Sequence, residues 1–181
     1  PENIIWCSDP SKVIRDVPTV GLPGDYFYSP MQLVGEWSSY DETICSVDPS
    51  GRGTDETAAA FLSQRNGLIY LHEMSAYRDG YSDSTLLDIL SKCRTYGVTS
   101  LVIETNFGDG IVGELFKKHL INTKQHINIE EVRANVRKED RIIDSLEPVL
   151  NQHRLIIDRG VIEWDYASYQ DSPAEERLLY M

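Results

Sequence analysis

Apolar and β-prone residues first gather into a strand-like run at residues 43–48. Residues 57–65 and 68–76 are two further such runs. Asn66-Gly67 between the latter two runs is the strongest short hairpin signal a sequence offers. The three runs therefore predict an antiparallel meander. From Ser82 the spacing becomes helical. Leu86, Leu87, Leu90 and Cys93 recur at helical spacing, with Ser82 as N-cap, Lys92 and Arg94 in the last turn and Gly97 as the C′ residue. Residues 100–104 return to an apolar strand, 111–120 to a helix, 128–133 to a strand and 138 to about 150 to a third helix. On that helix Ile142, Leu146, Val149 and Leu150 form one apolar face, opposite Asp140, Asp144 and Glu147.

The ends of the pattern are less regular. Residues 153–157 and 161–166 read as a late β-hairpin around Asp158-Arg159-Gly160. Ser172-Pro173-Ala174-Glu175 has the capping-box form and predicts a helix start. Before residue 41, five prolines (Pro1, Pro10, Pro18, Pro23, Pro30) with Gly21 and Gly24 predict extended chain and turns, with a short strand within 31–37. Trp6, Tyr26, Phe27, Tyr28 and Trp37 predict that this segment is packed down.

Three meandering strands, helix, strand, helix, strand is the element order of a ribonuclease H-like domain. The expected fold is α/β: a mixed five-stranded central sheet flanked by helices, with the late hairpin added. In that order the first and fourth strands are neighbours.

Both of those strands close on a carboxylate. Asp48 is followed by Pro49-Ser50-Gly51-Arg52-Gly53, and Glu104 by Thr105-Asn106-Phe107-Gly108-Asp109-Gly110. Proline removes a donor and glycine permits sharp departures, so each acid stands at a strand end beside a turn. Either acid alone is most simply a turn residue. Together, in this element order, they suit Mg²⁺ or Mn²⁺, hard cations that take oxygen ligands and keep water for a substrate phosphate. Asp48 is the natural acid to approach both ions of a two-metal site. Asp55 and Asp109 are further acids close in sequence, with solvated loop positions as the plain alternative. Arg52, and Lys138 with Arg141 one turn apart, are weaker candidates for backbone phosphate. His72, His119, His126 and His153 show no ligand spacing, and no G-x-x-x-x-G-K-[ST] phosphate loop occurs.

Composition changes this picture little. A chain of 181 residues supports one sizeable core. A net charge of −12 disfavours independent tight binding to a polyanion without excluding a carboxylate-based nuclease, because other parts of an assembly can supply the cationic track. Three scattered cysteines point to a reducing compartment. No run approaches the roughly 20 apolar residues of a membrane span. Pro1 predicts a piece of a longer, processed protein.

Four motifs carry a family resemblance. They are Val47-Asp48-Pro49-Ser50-Gly51-Arg52-Gly53-x-Asp55-Glu56-Thr57, Tyr77-Arg78-Asp79-Gly80-Tyr81-Ser82-Asp83, Ile103-Glu104-x-Asn106-Phe107-Gly108-Asp109-Gly110 and Arg141-Ile142-Ile143-Asp144-x-Leu146-Glu147-Pro148-Val149-Leu150. From about Leu22 onward the chain resembles the C-terminal nuclease domain of the large terminase subunit, the DNA-packaging protein, of short-tailed bacteriophages. The resemblance implies a ribonuclease H/RuvC-like endonuclease that cuts concatemeric double-stranded DNA with two Mg²⁺ or Mn²⁺ ions. It assigns Asp48 and Glu104 to the first and second metal-binding acids, and Lys138 and Arg141 to a basic pair near DNA. It implies residues 1–40 as an entrance segment from an N-terminal ATPase domain, and residues 41–181 as a nuclease domain whose third acid lies beyond Met181. Its implied partners are DNA, the portal protein and the small terminase subunit, in the bacterial cytoplasm and transiently at the procapsid portal, without a membrane. A non-catalytic docking module and a resolvase-like nuclease are the competing readings.

Overall fold

The computed structural model describes the chain except residues 18, 20–23, 25, 51–55, 106–109, 134–137, 169, 172 and 174–181; for 138, 139 and 141 only the backbone is described. Among the described residues of the first forty, two small antiparallel ribbons form. Strand β1 (Asn3–Ile5) pairs with β4 (Gln32–Val34), and β2 (Val13–Ile14) with β3 (Phe27–Tyr28). Ile4 packs beside Leu68 and Tyr70, and the Trp6 ring lies 5.7 Å from that of His153. Ile4 and Trp6 thus hold part of this proline-rich segment down, whereas Tyr26, Tyr28 and Trp37, expected to be packed, stand exposed.

The central sheet has six strands, one more than expected. Strands β5 (Glu42–Asp48), β6 (Thr57–Arg65) and β7 (Leu68–Tyr77) form the meander. Positive φ at Asn66 (49°) and Gly67 (76°) gives the tight turn that this dipeptide predicts. Helix α1 (Asp83–Tyr96) then crosses to β8 (Ser100–Glu104), and helix α2 (Ile111–Thr123) to β9 (Asn128–Val132). Ser82 Oγ accepts from the Thr85 amide at 3.3 Å, and Gly97 ends α1 in the left-handed region. The strand order is β10-β7-β6-β5-β8-β9, with β6 alone antiparallel to its neighbours. Strand β10 (Leu155–Ile157) comes after helix α3 (Lys138–Asn151) and returns to the far edge, parallel to β7.

The expected late hairpin is therefore corrected. Its first arm is β10, and its second is helix α4 (Arg159–Ser168). Val161, Ile162 and Asp165 are the buried positions, at helical spacing, and Asp158 Oδ1 accepts from the Gly160 amide at 2.8 Å at the helix start. Local β-propensity in the sequence Val-Ile-Glu-Trp-Asp-Tyr misleads here, because burial against β7 selects the helix. The capping box at 172–175 lies outside the described residues.

One face of the sheet carries the core. Cys45, Val47, Ala59, Phe61, Leu101 and Ile103 meet Leu86, Ile89, Leu90 and Cys93 of α1 and Val112, Phe116 and Leu120 of α2. The helices are tied to each other by His119 Nε2 to Asp83 Oδ1 at 2.9 Å and by Arg94 Nη2 donating to the Thr123 carbonyl at 3.0 Å. Helix α3 differs from both. Val149 and Leu150 are half-buried, but Ile142, Ile143 and Leu146 remain exposed, so only part of the expected apolar face is packed.

Candidate metal-binding edge of the sheet

Asp48 and Glu104 are brought to one place by register. The parallel ladder between β5 and β8 pairs Ile44 with Ser100, Cys45 with Leu101, Ser46 with Val102 and Val47 with Ile103. Each acid is the next residue, so the register sets Asp48 beside Glu104 at the carboxyl ends of neighbouring strands. Strand spacing in a sheet is about 4.8 Å, within the span of two ligands to one ion cluster. The pleat then fixes their direction. Thr43, Cys45 and Val47, with Leu101 and Ile103, are buried under α1 and α2. Asp48 and Glu104 alternate with them, share the opposite face with Ile44, Ser46, Ser100 and Val102, and are half-buried.

The backbone just beyond each acid is pinned. After Asp48, the Ser50 amide donates to Thr57 Oγ1 at 3.0 Å and the two hydroxyls lie 3.2 Å apart. Thr57 is 1% exposed, so the bond is sheltered at the base of β6. After Glu104, the Thr105 amide and hydroxyl both donate to the Val132 carbonyl, at 2.9 and 3.2 Å. Both acids thus leave their strands at fixed points, and neither rests on loop geometry alone. Sequence pattern gives Ser50, Thr57 and Thr105 no role; hydroxyl residues flanking a strand-end acid are the available signal.

The starts of α1 and α2 adjoin the same end of the sheet, with amide groups that favour anions. The first turn of α2 is unusual. Its N-cap, Gly110, offers no side-chain cap, and the Glu131 carboxylate of β9 lies against the turn. A Cβ at Gly113 would fall 2.1 Å from Glu131 Oε1, so glycine leaves room for the acid. Glu131 is paired with Ile103, which puts it on the α2 face rather than with Asp48 and Glu104.

Among the other predicted residues, Arg52, Asp55 and Asp109 lie outside the described residues. Lys138 and Arg141 lie on the backbone of α3, and their side chains are likewise outside. Among the described residues no three His, Cys, Asp or Glu side chains cluster as a metal ligand set. The acids that are described match Mg²⁺ or Mn²⁺ in donor chemistry, as hard carboxylate oxygens on half-buried residues. His72 and His119 have structural partners, Ser63 at 2.9 Å and Asp83, in keeping with the absence of ligand spacing.

A mixed sheet with a three-stranded meander, helices crossing to parallel strands, and acids at the ends of the first and fourth core strands defines the ribonuclease H-like class. A family model described as Terminase Bacteriophage T7, Ribonuclease H-like domain, matches residues 47–155. The chain is 40% identical over 181 residues to the terminase large subunit of Enterobacteria phage T3, covering 99% of this chain and 30% of that protein's length. Among solved structures it resembles the human cytomegalovirus terminase nuclease domain, Mn soaked and inhibitor bound, with TM-score 0.52 and 11% identity over 75% of each chain. The Mn-soaked form of that domain gives TM-score 0.50 at 10% identity, covering 77% of this chain and 78% of the other. At such identities the likeness is one of fold. The chain belongs to the T7-type family of terminase ribonuclease H-like domains. Among its described residues no helix is long and apolar enough to cross a membrane.

Proposed function

We propose that this chain is the metal-dependent endonuclease domain of a viral genome-packaging terminase, hydrolysing phosphodiester bonds in concatemeric double-stranded DNA. The observation that carries the reading is the alignment of Asp48 and Glu104, from neighbouring parallel strands, on the half-open face of the sheet. Family membership, and the manganese in the human cytomegalovirus terminase structures, support it.

Asp48 and Glu104 would hold Mg²⁺ or Mn²⁺, with Asp48 as the acid shared between two ions. Such a pair of ions, when bound, supplies an activated water and charge neutralisation at the leaving oxygen. The chain's own contribution is to fix the two carboxylates. The ladder of β5 and β8 sets their separation, and the Ser50–Thr57 and Thr105–Val132 bonds set the points where the backbone leaves it. Asp55 and Asp109 are the nearest acids in sequence that could add oxygen donors. Arg52, Lys138 and Arg141 are assigned to the DNA backbone, where cations position the duplex without reading its sequence.

With a net charge of −12, the domain is expected to rely on other parts of the packaging motor for its grip on DNA. The ATPase domain of the same protein, the portal and the small subunit are the partners proposed, in the host cytoplasm and at the procapsid.

The test is plasmid cleavage with Mn²⁺ by the full-length large subunit carrying Asp48→Asn or Glu104→Gln. Loss of cleavage with DNA-stimulated ATP hydrolysis retained supports the assignment. Unchanged cleavage would leave only a docking role.

A further inference from the structure

The two strands at the far edge of the sheet have unequal lengths. β7 runs for 10 residues and β10 for 3. Their ladder covers Ile69, Tyr70 and Leu71, and ends where the Asp158 amide donates to the Leu71 carbonyl at 3.0 Å. Asp158 then turns the chain into α4. From His72 to Tyr77, β7 has a strand partner only on its β6 side, among the described residues. Alternate peptide groups along this stretch therefore face away from the sheet.

This open edge is sheltered. It floors a groove of about 460 Å³, walled by Lys92 and Tyr96 of α1 and by Gly160, Val161 and Trp164 of α4. His72 is an extra residue in the β6–β7 ladder, since Leu62 pairs with Leu71 and Phe61 with Glu73. Such a bulge increases local twist and re-aims the edge beyond it. The groove begins at that residue.

Its charge is unbalanced. Lys92 Nζ lies 2.7 Å from Glu73 and 3.3 Å from Asp88, and Asp158 lines the same space. Two lining carboxylates, Glu73 and Asp158, thus share the groove with one ammonium, which Asp88 also contacts from outside the lining. Burial holds the His72 imidazole below its ordinary pKa, so it adds no charge at neutral pH. Tyr77, Tyr96 and Trp164 supply flat apolar walls.

We propose that this groove receives an extended peptide strand bearing Lys or Arg, which continues the sheet alongside β7 where β10 stops. Main-chain hydrogen bonds to residues 72–77 supply affinity, and the aromatic walls take alternate side chains. The cationic side chain is drawn to Asp158 and its acidic neighbours. The site lies at the opposite edge of the meander from β8 and does not depend on the nuclease assignment.

The probe is a blocked heptapeptide, Val-Lys-Val-Lys-Val-Lys-Val, added to the 181-residue chain and monitored by amide hydrogen exchange and Trp164 fluorescence. Exchange should slow roughly tenfold at alternate residues within 72–77, and only there on the sheet. N-methylation of the peptide at alternate positions should weaken binding roughly tenfold, because it removes the edge donors. Replacing Lys by Glu should weaken it at least as much. Because these changes are made in the peptide, the fold of the protein is untouched. Equal binding after N-methylation, protection elsewhere on the acidic surface, or no binding at millimolar peptide would each overturn the proposal.

Discussion

The two faces of the central sheet are made of alternate residues of the same strands, yet one is sealed and the other half open. On the sealed face Cys45, Phe61, Leu101 and Ile103 are each fully buried against α1 and α2. Polar members of that face pair with each other, as where Thr43 and Ser63 share a 2.7 Å hydrogen bond. On the other face Ile44, Ser46 and Val102 are half-buried, and the row ends in Asp48 and Glu104. Helix α3, which connects the two edges of the sheet, leaves Ile142 and Ile143 exposed. The difference separates two tasks. Packing on the closed side fixes strand register, because a slip of one residue would turn every buried side chain outward. The open side inherits that register as a fixed spacing between two carboxylates, without burying charge that would cost several kcal/mol per ion.

The largest expected effect is on the open face. Asp48→Asn and Glu104→Gln should each lower metal-dependent cleavage by more than about 100-fold, since even residues behind metal ligands commonly cost 10–100-fold. Cooperative thermal unfolding should persist in both variants. Retained activity with either one would break the link between register and chemistry.

The closed face should answer in stability. Phe116→Ala should cost about 3–5 kcal/mol by urea denaturation, whereas Ile142→Ala on α3 should stay within about 0.5 kcal/mol. Equal losses would mean that α3 is as tightly packed as α2.

The margin between the faces, along β7, is expected to set the pH limits. Tyr77 and Tyr96 are pushed up to about 12, first by burial and then by the carboxylates of Asp88 and Glu73 that accept their hydrogen bonds. A phenol held above its unfolded value favours the folded state below about pH 10, and that stability disappears as pH rises toward 12. Tyr77→Phe and Tyr96→Phe should flatten this alkaline limb in a pH series of thermal melts. At the acid end, burial would raise the Glu73 carboxyl, but bonds from Lys92 and Tyr96 outweigh it and hold the group below its usual value. Its contribution is present above the ordinary carboxylate range and fades as pH falls through the lowered value. A melt unchanged by Glu73→Gln at pH 7 would contradict this.

The smallest effect is at Gly113. Alanine gains roughly 1 kcal/mol of helix propensity but must displace the flexible end of Glu131. Gly113→Ala alone should be close to neutral. In a Glu131→Ala background it should stabilise by about 0.5–1 kcal/mol, which a double-mutant cycle would read.

Much of this architecture is legible in local pattern. Asn66-Gly67 gives the turn, Ser82 and Gly97 bound α1, and the two strands that end in acids announce themselves as short β-prone runs closing on a carboxylate before glycine-bearing turns. The neighbouring of β5 and β8 comes from element order, although Asp48 and Glu104 lie 56 positions apart. The sixth strand was legible as an arm of the expected hairpin, but its membership of the central sheet was not. Leu155–Ile157 is short, and its place beside β7 is decided by long-range pairing that no local signal carries. Helix α4 was hidden because its β-branched and aromatic residues favour a strand until burial selects otherwise. At the acidic edge, residue types pointed to the acids themselves, while the bonds that fix them, Ser50 to Thr57 and Thr105 to Val132, depend on tertiary contact. The amphipathic pattern of α3 predicted a packed face, and pattern alone does not reveal how much of it is covered.

The central claim is most directly tested by soaking crystals of the chain in Mn²⁺ and locating the ion by anomalous diffraction. The account predicts a peak within about 2.1 Å of carboxylate oxygens from both Asp48 and Glu104. Manganese held by only one of them, or only at other sites on the acidic surface, would contradict it.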